Sequence, residues 1–121
     1  MALKDRTEFL RTPEEVDSFL AKHMGAAIFK AGACHKTPAS FVHVQAQLET
    51  REGLPLGIIS VLEARAASNH VAELTGVTHE SPQLFLFKEG QAVFDRDNWD
   101  ITPEDIEAAL AEHFPEVIAR P

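Results

Sequence analysis

Two periods of apolar spacing alternate along this chain, and each change of period marks an element boundary. Val16, Phe19 and Leu20 recur at helical spacing and predict a helix running to about His23. It opens at Thr12-Pro13-Glu14-Glu15, where Thr12 suits the cap, Pro13 the first helical position and Glu15 completes a capping box. Ahead of it, Leu3, Phe9 and Leu10 allow an edge strand on a weak pattern. Gly25 ends the helix, and the unbroken run Ala26-Ala27-Ile28-Phe29 reads as a buried strand.

Phe41, Val44 and Leu48 give a second helical stripe reaching about Glu49. After the breakers Gly53 and Pro55, the run Leu56-Gly57-Ile58-Ile59-Ser60-Val61-Leu62 suits a central parallel strand covered on both faces. A third helix is expected with Ser68 as cap, Val71 and Leu74 buried, and Gly76 as its stop. Leu84–Phe87 and Gln91–Phe94 flank Lys88-Glu89-Gly90 and predict an antiparallel hairpin. Thr102-Pro103-Glu104-Asp105 opens the last helix, whose apolar face is Ile106, Leu110, Phe114 and Val117. The order β, α, β, α, β, α, β, β, α makes an α/β protein with a mixed central sheet flanked by helices. It is the order of the thioredoxin-like fold.

At 121 residues, with no repeat, low-complexity stretch or linker, the chain is expected to be one domain spanning 1–121. A net charge of -8, from 19 acidic and 11 basic residues without a cationic cluster, argues against nucleic acid as a partner. No apolar run approaches the roughly 18 residues of a membrane span, and the first residues lack the apolar core of a signal peptide. The expected location is the cytoplasm, with no membrane partner.

One residue carries distinctive chemistry. Cys34 is the only cysteine, in Lys30-Ala31-Gly32-Ala33-Cys34-His35-Lys36-Thr37-Pro38, where a buried strand hands over to a helix. One cysteine makes no internal disulfide but can form a mixed one. Disulfide exchange needs a thiolate, which helix N-termini and neighbouring cations favour; the following helix and His35-Lys36 offer both. Two helix starts stay open, at Cys34 or at Thr37, because Thr37-Pro38 repeats the pattern of Thr12-Pro13. A lone cysteine is otherwise a small core residue. The histidines His23, His35, His43, His70, His79 and His113 show no zinc spacing, so no metal is expected.

Three blocks add specificity: Arg65-Ala66-Ala67-Ser68-Asn69, His79-Glu80-Ser81-Pro82-Gln83 and Asn98-Trp99-Asp100-Ile101-Thr102. Together with Cys34 they resemble the monothiol bacilliredoxins, thioredoxin-like proteins of bacillithiol-using bacteria, from about Thr12 to Leu110. The resemblance implies a stress-response thiol-disulfide oxidoreductase that removes bacillithiol from mixed disulfides on protein cysteines, with Cys34 as nucleophile. It implies S-thiolated client proteins and a small thiol as partners, with regeneration by an external thiol or a partner redoxin or reductase. No tightly bound cofactor is implied.

The resemblance makes Pro82 a cis-proline facing the thiol, with His79 and Ser81 beside it in the substrate groove. The family's Thr-Cys-Pro-Ile-Ser stands here as Ala33-Cys34-His35-Lys36-Thr37; Thr37 occupies the place of a dithiol enzyme's second cysteine and is a candidate partner of the thiolate. His79 is the histidine expected nearest Cys34, with a packing role equally open. Trp99 is expected as a core anchor and Asp100 as a turn former. Two alternatives are an iron–sulfur carrier like the monothiol glutaredoxins, whose Cys-Gly-Phe-Ser signature is absent, and a non-catalytic binding module.

Overall fold

The strand that leads to Cys34 runs through the middle of the sheet. A computed structural model describes residues 2–115 of the chain. In chain order it has a 3-10 turn (Leu3–Arg6), β1 (Thr7–Phe9), α1 (Pro13–Lys22), β2 (Gly25–Ala31), α2 (Lys36–Glu49), β3 (Leu56–Ser60), α3 (Arg65–Thr75), β4 (Gln83–Lys88), β5 (Gln91–Asp97), a second 3-10 turn (Asn98–Asp100) and α4 (Pro103–His113). The strand order is β1-β3-β2-β4-β5. Strands β1, β3 and β2 run parallel, and β4 returns antiparallel beside β2 and pairs with β5.

Because β2 lies between two strands and two helical layers, every residue from Ala26 to Lys30 is buried. Ala27 and Phe29 face Val44, Leu48, Ile106, Leu110 and Phe114, the inner sides of α2 and α4. Ala26 and Ile28 face Val16, Phe19, Val71 and Phe85, under α1 and α3. A strand covered twice has no solvent face on which to place polar residues, hence its continuous apolar run. Burying one side chain such as Phe29 stabilises by about 1.5–3 kcal/mol.

Thr12 Oγ1 accepts from the Glu15 N–H at 3.0 Å and Thr102 Oγ1 from the Asp105 N–H at 3.2 Å, so both Thr-Pro starts cap as expected. The Glu15 carboxylate bonds the N–H of Arg11 at 2.6 Å, one residue before the cap. In the hairpin, Glu89 and Gly90 take φ of 52° and 78°, the left-handed pair that a two-residue turn requires. The weakly signalled edge strand forms as β1, beside β3.

Several expectations are corrected. Strand β3 stops at Ser60; Val61 is buried but Leu62 points to solvent. Helix α3 begins at Arg65, so Ser68 is a buried residue of its first turn rather than its cap, and Leu74 is exposed. Val117 lies outside the described residues. Among the described residues no helix is long and apolar enough to cross a membrane.

Candidate active site

At the end of β2 the chain turns through Gly32, Ala33, Cys34 and His35 before α2 begins at Lys36, between the two starts the sequence left open. Pro38 is then the third helical residue, where its missing N–H would have been unpaired anyway. The Thr37 N–H donates to the Cys34 carbonyl at 3.1 Å, a tight first turn. Thr37 does not engage the thiol: its Oγ1 accepts from the Gly32 N–H at 3.2 Å and closes the loop on itself. Ala33, Cys34 and His35 are exposed, and the Cys34 sulfur makes no hydrogen bond among the described residues.

Gly32 sets the distance to the opposite wall. A Cβ there would overlap the Ser81 hydroxyl and stand 3.1 Å from Ser81 Cβ, so a side chain at this position would have to turn the hydroxyl aside or push the two loops apart. The Ser81–Pro82 peptide bond is cis, and Pro82 is buried at the start of β4. Proline has no N–H to give a ladder, which suits the entry to a strand. Ser81 Oγ is buried without a hydrogen-bond partner among the described residues. Behind it, Gln83 fastens the loop: its side chain accepts from the Glu80 N–H at 3.3 Å and donates to the Thr78 carbonyl at 3.2 Å.

Asn98 joins these loops to α2, at a φ of 50° that asparagine tolerates better than most residues. Its N–H donates to the Pro82 carbonyl at 2.9 Å, and its carbonyl accepts from Ser40 Oγ at 3.3 Å. Its side chain accepts from Lys36 Nζ at 3.3 Å and donates to Glu80 Oε1 at 3.4 Å. Trp99, 58% exposed, is not a core anchor; its ring stands 5.9 Å from that of His35 and forms an aromatic flank beside the thiol loop. Asp100 is exposed in the same short turn.

His79 faces inward. Its Nδ1 lies 3.3 Å from Lys30 Nζ and 3.2 Å from Ser68 Oγ. Lys30 is fully buried, directly opposite Gln83 across the β2–β4 ladder and 5.8 Å from the Phe85 ring centre. Burial lowers its ammonium to about 8. The His79 imidazole is also held below its usual value, first by burial and then by Lys30 and Arg65, with Glu80 opposing. Arg65 acts on His79 electrostatically, and Asn69 is an exposed residue of α3.

The structure therefore brings together Gly32, His35, Lys36, Thr37, Ser81, Pro82 and Asn98 around the loop of Cys34, with the Nδ1 edge of His79 turned to Lys30 and Ser68. Lys30 has no part in the site expected from sequence, although a lysine between Phe29 and Ala31 in an apolar strand is a usable signal. Among the described residues, no group of three or more His, Cys, Asp or Glu side chains is placed to hold a metal ion.

Comparison with known proteins gives the family and the fold. The family described as Monothiol bacilliredoxin BrxC matches residues 8–106. Among solved structures, a protein described as having a thioredoxin fold superposes with a TM-score of 0.81 at 24% identity, over 93% of this chain and 99% of its own. Thioredoxin O2 from Arabidopsis thaliana gives 0.74 at 15% identity, over 94% and 99%. Thioredoxin from Fasciola hepatica gives 0.71 at 13%, over 88% and 98%. At these identities the likeness establishes the fold, which is thioredoxin-like.

Gly32→Ala is expected to cost about 1–3 kcal/mol by overpacking, measured by urea unfolding. Adding Ser81→Ala should recover part of that loss, so the pair costs less than the sum of the two single changes; strict additivity would mean the loops do not touch. Lys30→Met should stabilise the protein, and the gain depends on pH. Below pH 8 the folded state carries the buried charge; between about 8 and the usual 10.5 it sheds a proton that the unfolded chain keeps. Wild-type stability therefore gains on the variant through that window, by about 3 kcal/mol. Unfolding curves at both ends of the window check it; a gain independent of pH would contradict it.

Proposed function

The chain belongs to the monothiol bacilliredoxin family, and from that membership we propose that it removes bacillithiol from mixed disulfides on protein cysteines. Family and fold support a thiol oxidoreductase. The observation that carries the finer reading is the pairing of an exposed lone thiol with the Ser81–cis-Pro82 wall, closed against its loop at Gly32. Cys34 is the nucleophile, and the backbone at Ser81 offers strand-like hydrogen bonds to the bound thiol.

In this reading the Cys34 thiolate attacks the bacillithiol sulfur of the mixed disulfide. That S–S bond breaks, the client cysteine leaves as a thiolate, and Cys34 is left capped. The client is reduced, while the disulfide passes to the enzyme. With no second cysteine to expel the cap, an external thiol or a partner redoxin regenerates Cys34. The expected setting is the reducing cytoplasm, in the response to oxidative stress.

The test uses a bacillithiolated model protein, with a glutathionylated one in parallel, and intact mass of both partners. The bacillithiol mass should move from the client to wild-type protein, and Cys34→Ser should accept none. Failure of wild-type protein to take up either cap would overturn the reading.

A further inference from the structure

Lys30 is the one charged side chain among the described residues that is fully buried, and no carboxylate pairs with it there. Burying an uncompensated ammonium is costly, yet the exchange described above gives this one no task. Its geometry supplies one. A protonated lysine only donates, so His79 Nδ1, 3.3 Å from Nζ, is the acceptor and the ring proton sits on Nε2. Nε2 has no hydrogen-bond partner among the described residues, whereas Nδ1 also meets Ser68 Oγ at 3.2 Å. The ring is half-buried, and His79 lies in the loop that carries Ser81 and Pro82, two residues before Ser81.

Resting on Cys34 as nucleophile, we propose that Lys30 supplies, through His79, the proton taken up by the departing client thiolate. As the Cys34 sulfur forms its bond to the small thiol's sulfur, the electron pair of the breaking S–S bond stays on the client sulfur. His79 Nε2–H gives that sulfur its proton while Nδ1 takes one from Lys30 Nζ. The products are the client thiol, capped Cys34, neutral His79 in its other tautomer and a neutral Lys30 amine, which regains a proton from water.

The charges around the pair suit a single mobile proton. Lys30 and Arg65 both oppose a second positive charge on His79, and only Glu80 favours it. The Lys30 ammonium, at about 8, is close to the ~8.5 of an ordinary cysteine thiol, so the transfer runs nearly level. Lys30 acts through His79 and is a positioning residue for the proton; His79 is the group that would meet the substrate.

The experiment compares leaving groups in single turnover, following the capping of Cys34 by intact mass. Dipyridyl disulfide releases a stable anion that needs no proton, whereas hydroxyethyl disulfide releases an alkyl thiolate that does. In Lys30→Met and in His79→Gln, the rate ratio of the aromatic over the alkyl disulfide should rise by at least about tenfold, the lower end of general acid catalysis. In wild type that ratio should climb as pH passes about 8, and in both variants it should stay flat. The ratio cancels the ionisation of Cys34 and any general loosening of the loop. Should Lys30→Met fail to fold, His79→Gln carries the test. Wild-type ratios in the folded variants would overturn the proton role alone; a wild-type protein that reacts with neither disulfide would overturn the nucleophile reading and this inference with it.

Discussion

The candidate site depends on an absent side chain. Gly32 has no Cβ, and that gap lets Ser81, which precedes the cis-proline, lie against the loop of Cys34. Everything nearby serves the same approach. Thr37 spends its hydroxyl on the Gly32 N–H, Gln83 pins residues 78 and 80 from behind, and Asn98 ties the Pro82 carbonyl to Ser40 and Lys36 of α2. Packing and hydrogen bonds thus join the thiol loop to the proline wall. Groups held by packing and hydrogen bonds in this way need little reordering when a substrate arrives.

The sheet is what makes such precision affordable. Strand β2 is buried on both faces, so the loop at its end starts from a fixed point, and α2 carries the chain away over the same core. Lys30 is the exception within that strand. A methionine would fill its place at less cost in an apolar interior, and the lysine instead reaches His79, in the loop that carries Ser81 and Pro82.

Much of this was legible in the sequence, and the misses have physical causes. The Thr-Pro helix starts, the apolar strands and the hairpin turn were readable because each rests on a local preference, a cap, a double-covered strand or a left-handed pair. The start of α2 was not, because the residue before a proline usually avoids the helix and Pro38 sits where that rule relaxes. Ser68 looked like a cap because serine favours caps; its hydroxyl is needed inside, on His79. Trp99 looked like core by size alone, and burial is a property of the whole fold. Asn98 stood in plain sight within a quoted block, but its hub role comes from contacts with residues 36, 40, 80 and 82 that only the folded chain brings together.

On the proposed function, a thiol bound to Cys34 lies against the Ser81–Pro82 wall. The most direct measurement is a crystal structure of the protein with bacillithiol trapped on Cys34 as a mixed disulfide. The adduct should sit beside Pro82, its amide hydrogen-bonded to the Ser81 backbone. An adduct extended into solvent, with Ser81 and Pro82 untouched, would contradict it.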